Sequence, residues 1–230
     1  MVMSKFFIVF KKTPSPRWGS LIILDLSVQI IGDNYDSNRI KSLHRKNECR
    51  YFLVYLWVLI FVKSISMKKL NDLLQLGDPR LYEVCEPVYE HELPKVKEWV
   101  ADLHNVMEEI RAKYHFGRGI AAPQLGVMKR LIYLNLDRPI IIINPVFENL
   151  SEEMFELWDD CMSFPNLLVK VKRHKQLTIK YLDENWQPQT WQVEDAISEL
   201  LQHEYDHLDG ILCTMRAIDN QSFKWRPTPD

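Results

Sequence analysis

The run His203-Glu204-Tyr205-Asp206-His207 places two imidazoles and a carboxylate close together in the sequence. Residues four apart lie one above the other on a helix, so His203 and His207 can hold one metal ion from the same face. Glu204 then lies near the position of an attacking water. This HExxH arrangement is typical of two metal ligands combined with a general base or acid. Two imidazoles leave the metal site incomplete, so a third ligand must come from elsewhere.

The search for the third ligand leaves two cysteines. No glutamate follows His207, which excludes the arrangement in which a later glutamate completes the site. The longer pattern HExxHxxGxxH is matched at Gly210, but Cys213 occupies its last position, and we interpret Cys213 as a core residue. Cys161 lies in a polar segment after a strand. One thiolate with two imidazoles leaves a fourth position open for water, which is typical of catalytic metal sites.

A purely structural interpretation of the motif is also available, because HExxH occurs by chance and paired histidines can lie on a surface. Here the motif is flanked by Leu200, Leu201 and Leu208, which indicates that its polar groups face the interior. Two imidazoles and a carboxylate are costly to bury without partners. A metal ion removes that cost, so we favour the metal site.

The flanking sequence predicts the elements that must position these residues. Apolar residues recur at three- and four-residue steps from Val96 to Ile110, which predicts an amphipathic helix with Pro94 near its start and Gly117 beyond its end. A second helix, N-capped by Asp195, carries the histidines and ends before Gly210. Between them we predict strands at Leu131–Asn135, Ile140–Asn144, Leu167–Arg173, Leu177–Asp183 and Thr190–Val193. Helix, strands and helix in this order indicate an α+β fold.

Composition describes an ordinary globular protein. Of 230 residues, 47% are hydrophobic and 26% charged, and the net charge of −2 gives no argument for nucleic acid, so we expect no DNA partner. The four cysteines are widely spread, without a CxxC pair, which favours a reducing compartment and a cytoplasmic location.

A change in charge marks a boundary near Met67. Residues 1–66 carry a balance of +6 and residues 67–230 a balance of −8. Tyr51–Val62 is apolar but shorter than the roughly 20 residues of a membrane-spanning helix. We therefore interpret residues 67–230 as the catalytic domain and residues 1–66 as an extension, preferably an over-extended gene model. A leader peptide or a membrane anchor is the alternative, and without an anchor we expect no membrane association.

Three separated segments together resemble the peptide deformylases. Gly117–Gln124 is similar to that family's GxGxAAxQ motif, Asp159–Ser163 looks like a variant of its EGCxS motif, and His203–His207 matches its HExxH. The segments stand in the family's order and span roughly Met67 to Asp219. The resemblance implies an α+β fold of antiparallel β-sheets packed around a C-terminal metal-binding HExxH helix.

The resemblance also implies a role for each matching residue. Cys161, His203 and His207 would hold one divalent metal ion, with Fe(2+) expected and Zn(2+) or Ni(2+) as alternatives. Glu204 would take a proton from the attacking water and pass it to the departing amine. The substrate would be the N-formyl-methionine end of a nascent polypeptide, met near the ribosome, and formate would be released.

The remaining implied residues bind the substrate. Gln124 would donate its side-chain amide to the developing oxyanion, together with the backbone N–H of Met162. The backbone of Gly117, Arg118, Gly119 and Ile120 would line the peptide-binding cleft. Glycines at 117 and 119 permit a close backbone approach.

Departures from the family pattern keep other functions open. Asp159 replaces the family's glutamate, and we expect it to pair with Arg173. Asp160 replaces a glycine and adds a charge beside the metal and the substrate path. We expect Arg118, in a position that is often apolar in the family, to pair with Asp160 or with an acidic substrate group. The alternatives are a related metallo-amidase or peptidase, or an inactive metal-stabilised paralogue.

Overall fold

The computed structural model describes residues 6–7, 29–30 and 67–227. The chain divides into two compact units, Met1–Ile65 and Ser66–Asp230. In the first unit, β1 (Phe6–Phe7) pairs antiparallel with β2 (Gln29–Ile30). The predictions of an extension, a leader or an anchor concern residues outside those described. Among the described residues, every helix is too short or too polar to cross a membrane.

The second unit has the α+β composition that the sequence predicts. Its helices are α1 (Leu93–Tyr114) and α2 (Asp195–Leu208). Its strands are β3 (Gly119–Ala121), β4 (Leu131–Asn135), β5 (Pro139–Glu148), β6 (Met154–Asp160), β7 (Leu167–His174), β8 (Gln176–Leu182), β9 (Pro188–Glu194) and β10 (Phe223–Trp225).

Two antiparallel sheets hold these strands. The five-stranded sheet has the order β3-β4-β5-β8-β9, and the three-stranded sheet has the order β10-β7-β6. Every strand pair in both sheets is antiparallel, as the family resemblance implies. β3 lies at an edge of the larger sheet and β6 at an edge of the smaller one. The predicted ligand Cys161 directly follows Asp160, the last residue of β6.

Helix α1 forms because one of its faces is apolar. Pro94 lies in its first turn, where a missing N–H costs nothing. The buried residues Val96, Leu103, Val106, Met107 and Ile110 pack against β3 and β4 in one core cluster. His115 ends the helix in a left-handed conformation (φ 62°). The predicted helix is confirmed, with one more turn at its C-terminus.

Helix α2 is buried on nearly every side, which is unusual for a helix with so many polar residues. Leu200, Leu201 and Leu208 belong to the core cluster of the five-stranded sheet. His203 and Asp206 face the other way, towards Asp159 and Arg173 of the smaller sheet. The prediction of Asp195 as the N-cap is wrong by one residue, because Glu194 is the N-cap and Asp195 begins the helix.

Strands β3, β6 and β10 have no counterpart among the predicted strands, and β5 is longer than predicted. β6 was not predicted because polarity does not follow burial along it: Met154 and Trp158 face outwards while Asp159 is buried. β5 extends past Asn144, where the prediction ended before Pro145. A register shift between Ile143 and Val146 accommodates the proline. A tight turn at Asp183 joins β8 to β9, and the Asp183 carboxylate accepts the N–H groups of Asn185 and Gln187 there.

Candidate metal centre

The three predicted ligands meet in the interior. Cys161 follows β6, while His203 and His207 project from α2 one turn apart, and one donor atom of each lies within 4.8 Å of the other two. Cys161 Sγ is 3.4 Å from His207 Nε2. All three side chains are buried. Of the potential metal-binding groups found among residues 67–227, this is the one that contains both His203 and His207.

Cys213 lies near a different part of the cluster. Its thiol falls within 4.8 Å of Asp159 and His203 but forms no such group with His207. Cys213 is buried in the same apolar cluster as Cys161, between Leu212 and strand β7. Burial raises the pKa of its thiol far above the usual range. These observations agree with its interpretation as a core residue.

The chemistry of the donor set fits a divalent metal ion. Burial and the neighbouring charge of His203 lower the pKa of His207 well below its usual value, so its imidazole is neutral, the form that binds a metal. Burial also disfavours the charged form of His203, but Asp159 outweighs it and raises the pKa of His203 well above its usual value, so a metal ion held there would displace a proton. His207 Nδ1 and Glu204 Oε2 are buried without a hydrogen-bond partner among the described residues. One thiol and two imidazoles are a donor set that proteins use to hold a divalent metal ion.

Glu204 lies directly beside this cluster and has an unusual environment. Burial raises the pKa of its carboxyl to about 7, where it can both accept and donate a proton near neutral pH. The side chain fits only because residue 119 is glycine. A Cβ at Gly119 would lie 2.9 Å from Glu204 Oε1 and 2.7 Å from Leu134 Cδ2. The glycine of the first motif therefore makes room for the carboxylate of the third.

Gln124 is held in one orientation by the turn that follows β3. Its Oε1 accepts the N–H of Ala121 at 3.0 Å, which directs Nε2 into the centre. Nε2 lies 3.6 Å from Cys161 Sγ and 3.2 Å from Ser163 Oγ. The backbone N–H of Met162 donates to no acceptor within residues 67–227. The Gln124 amide, which donates to Cys161 and Ser163, and the unbonded N–H of Met162 therefore both lie beside the donor cluster.

The segment Gly117–Ile120 enters β3 along one wall of the site. Gly117 has φ +127°, and a Cβ there would lie 2.9 Å from Met162 Cε. Ile120 is fully buried in the core. β3 pairs with β4 on one side. On its other side, no strand of residues 67–227 pairs with it, and the N–H of Ala121 is bound to Gln124 instead.

The predicted pairing of Arg118 with Asp160 is wrong. Arg118 instead donates to Glu199 Oε2 at 2.9 Å and to the carbonyl of Ala196, which connects the segment before β3 to α2. Asp160 pairs with Arg226 near the C-terminus. Arg118 precedes β3 of the larger sheet, whereas Asp160 ends β6 of the smaller one, so the sequence offered no means of choosing between these partners.

A buried ionic network stands behind His203. Arg173 donates to Asp159 at 2.9 Å, as predicted, and to Asp206 at 2.5 Å. Asp159 Oδ1 in turn contacts His203 Nδ1 at 2.8 Å. Burial opposes ionisation of Asp159, but His203 and Arg173 outweigh it and lower the pKa of its carboxyl to about 2. A carboxylate on one ring nitrogen turns the other nitrogen towards the donor cluster.

Sequence reasoning missed three members of the surroundings. Asp206 lies inside the HExxH run and accepts from both Arg173 and Arg216. Its signal was present, since a carboxylate between two buried histidines needs a cationic partner. Arg216 and Arg226 carry no local signal, because only the tertiary fold brings them to these acids.

These observations define a class of protein: one in which a buried thiol and two imidazoles that could hold a metal ion lie beside a carboxylate of raised pKa and a fixed side-chain amide. Comparison with known proteins is consistent with it. The family model described as polypeptide deformylase matches residues 70–223. The chain therefore belongs to the polypeptide deformylase family, and it is an enzyme.

Individual relatives agree with this assignment. Peptide deformylase 2 of Ralstonia nicotianae is 32% identical over 165 residues, which cover 67% of this chain and 90% of that protein. The peptide deformylase of Dictyoglomus thermophilum is 32% identical over 151 residues, covering 65% and 94%. The crystal structure of the peptide deformylase from Thermotoga maritima is similar with a TM-score of 0.58 and 27% identity, covering 64% and 97%.

Proposed function

We propose that this enzyme hydrolyses the N-formyl group from the N-terminal formyl-methionine of nascent polypeptides and releases formate. One observation carries the proposal. A carboxylate of raised pKa and a fixed side-chain amide both lie beside one thiol and two imidazoles, as hydrolysis of an unactivated amide requires. Membership of the polypeptide deformylase family indicates that the acyl group is formyl and that the substrate is a polypeptide.

Cys161, His203 and His207 would hold the metal ion. A divalent ion held there supplies Lewis acidity and lowers the pKa of water. We propose Fe(2+) as the resident ion because a thiolate ligand suits a softer, redox-capable metal, with Zn(2+) or Ni(2+) as alternatives. The Asp159 carboxylate supports the site by fixing the ring of His203.

Glu204 is the proposed general base and general acid. It accepts a proton from the attacking water and then donates one to the departing amine. Gly119 holds the Glu204 carboxylate against the backbone of β3, on the side where a formyl group would enter. Its raised pKa, about 7, reduces the energetic difference between the two proton transfers.

Gln124 and Met162 are the proposed oxyanion donors. Charge develops on the former carbonyl oxygen in the tetrahedral transition state, and donors that are already oriented stabilise it without reorganisation. The bond from Ala121 N–H to Gln124 Oε1 provides that orientation. Loss of one such donor costs about 2.7–4 kcal/mol of transition-state stabilisation in comparable sites.

The backbone of Gly117, Arg118, Gly119 and Ile120 is the proposed binding surface for the peptide. An extended peptide can add a strand to a free sheet edge through main-chain hydrogen bonds. β3 offers such an edge beside Glu204. A related class I type b peptide deformylase from Acinetobacter baumannii has a crystal structure with Met-Ala-Ser bound, at TM-score 0.57 and 27% identity.

We further propose residues 67–230 as the catalytic domain and the cytoplasm, close to the ribosome, as its location. The matched residues 70–223 fall inside this range. The described cysteines Cys85, Cys161 and Cys213 are free thiols, which suits a reducing compartment.

The proposal is tested with the full chain loaded anaerobically with Fe(II). Formate release from formyl-Met-Ala-Ser is expected, and acetyl-Met-Ala-Ser should react far more slowly. Glu204→Gln keeps the shape of the side chain and should retain the metal while kcat falls by about 100-fold or more. Glu90→Gln, an exposed change far from the site, is the matched control.

Each alternative function gives a distinct result in the same assay. A protein that holds stoichiometric metal but cleaves acetyl and formyl peptides equally would be a related amidase. Stoichiometric metal without release of any acyl group would indicate an inactive paralogue. Either result overturns the deformylase proposal.

A further inference from the structure

Arg226, just beyond β10, touches both sides of the candidate site. Its guanidinium pairs with the Asp160 carboxylate and donates through Nε to the carbonyl of Pro165 at 3.0 Å. Its backbone N–H donates to the carbonyl of Asn166 at 2.7 Å. The same guanidinium lies over the ring of Phe116, with Cζ 4.2 Å from the ring centroid.

These contacts enclose the segment Cys161–Asn166, which we call the ligand loop. Asp160 immediately precedes the loop, while Pro165 and Asn166 end it, so one side chain and one backbone N–H bind both of its ends. The loop contains the proposed ligand Cys161 and the proposed oxyanion donor Met162. Any movement of Asp160 passes to Cys161 through a single peptide unit.

The contact with Phe116 reaches the other wall of the site. Phe116 precedes Gly117, where the chain turns into β3, and Gly117 itself abuts the Met162 side chain. Arg226 therefore connects the ligand loop to the start of the substrate strand. Planar guanidinium groups can stack on a ring and form hydrogen bonds in their plane at the same time, which a lysine cannot do.

We propose that Arg226 is a positioning residue, which holds the ligand loop against the entrance to β3 and so sets the placement of Cys161 and Met162 N–H. The proposal rests on the proposed function for its kinetic consequence but not for its structural one. It also gives Asp160 a role: this carboxylate anchors Arg226 instead of facing the substrate as a free charge.

The ion pair by itself is too weak to explain such a role. The side chains of Arg226 and Asp160 are 25% and 37% exposed, and partly exposed pairs contribute little in water. The effect comes from three contacts that one side chain makes to three separate parts of the chain, at Asp160, Pro165 and Phe116. Loss of the whole side chain should therefore matter more than loss of the Asp160 charge.

The test combines Co(II) absorption spectroscopy with steady-state kinetics on the full chain. Co(II) bound to a thiolate has a ligand-to-metal charge-transfer band that depends on the sulfur–metal geometry. Arg226→Ala should alter this band and lower kcat for formyl-Met-Ala-Ser by about 10- to 100-fold, with a smaller change in KM. Arg226→Lys should restore only part of both, because it cannot bind Pro165 and Phe116 together.

A second comparison separates Arg226 from general effects on β10. Lys224→Ala removes another cation from β10, one that lies over Trp158 and has no contact with the ligand loop. It should leave the spectrum and kcat unchanged. Asp160→Asn should give an intermediate effect, and Asp160→Asn with Arg226→Ala should equal Arg226→Ala alone, since the two changes remove one shared arrangement.

Three results would overturn the proposal. Arg226→Ala with the spectrum and kcat of Lys224→Ala excludes any positioning role. A lower unfolding temperature with an unchanged Co(II) band indicates a stabilising role only. If Arg226→Ala does not fold, unchanged bands in both Arg226→Lys and Asp160→Asn contradict it. The spectra still test the role of Arg226 if no formate is released. Failure of the proposed function can therefore be distinguished from failure of this proposal.

Discussion

Helix α2 packs against both β-sheets, and the two contacts are chemically different. Towards the five-stranded sheet it presents Leu201 and Leu208, which join Ile132, Ile142 and Ile179 in an apolar cluster. Towards the three-stranded sheet it presents His203 and Asp206, which meet Asp159 and Arg173. One side of the helix is held by apolar packing and the other by buried ions.

The difference separates stability from orientation. Apolar burial is favourable but non-directional, so the larger sheet fixes where α2 lies without fixing each side chain. Buried ion pairs contribute little net stability because desolvation offsets their attraction, but they impose geometry. The smaller sheet therefore sets the ring orientation of His203, and it also delivers Cys161. The following predictions test this division, from the largest expected effect to the smallest.

Removal of Arg173 should have the largest effect. Arg173→Met leaves the carboxylates of Asp159 and Asp206 buried without their shared cation, which we expect to lower the free energy of unfolding by about 3–5 kcal/mol. Urea unfolding of the metal-free protein measures it. Lys172→Met, on the exposed face of the same strand, should stay within about 0.5 kcal/mol. A loss below about 1 kcal/mol for Arg173→Met would show that the network is dispensable.

Asp159→Asn should act on the metal more than on the fold. The amide keeps the volume of the side chain but removes the charge beside His203 Nδ1, so metal affinity should fall by about 10- to 100-fold. Competition with a chelator measures the affinity. Glu156→Gln, on the outward face of β6, is the control and should not change it. Equal affinities in wild type and Asp159→Asn would contradict an orienting role.

Ile132→Val, in contrast to Asp159→Asn, should act on the fold more than on the metal. Ile132 lies in β4 of the larger sheet and is fully buried in the apolar cluster that this sheet forms with α2. Removal of one methylene should cost about 0.5–1.5 kcal/mol of unfolding free energy. Metal affinity should be unchanged, because apolar packing does not orient the imidazoles. A parallel loss of metal affinity, measured by the same chelator competition, would remove the proposed distinction between the two sheets.

Arg216→Ala should have the smallest effect. Arg216 donates to Asp206 at 2.8 Å, but its side chain is 47% exposed and Asp206 retains Arg173. We expect a loss of about 0–1 kcal/mol in urea unfolding. A loss as large as that of Arg173→Met would mean that the network depends on its exposed member.

The sequence alone determined much of the scaffold and the identities of the central residues. The periodic apolar residues of α1 and the strand β4 were predictable because local pattern and final burial agree there. The spacing of His203 and His207 determined one face of a helix. The three motifs together indicated the polypeptide deformylase family, which the comparison confirms.

Tertiary structure alone decided how the charged residues pair. β6 escaped prediction because Asp159 occupies an inward position that local pattern reserves for apolar residues. The partners of Arg118 and Asp160 were wrongly predicted. The sign of a charge shows which groups attract each other, but not which of them the fold brings within reach. Glu199 and Arg226 lie 81 and 66 residues from these partners along the chain. The spacing of residues along a helix is local and can be predicted from the sequence, whereas the pairing of ions depends on the packing of distant segments.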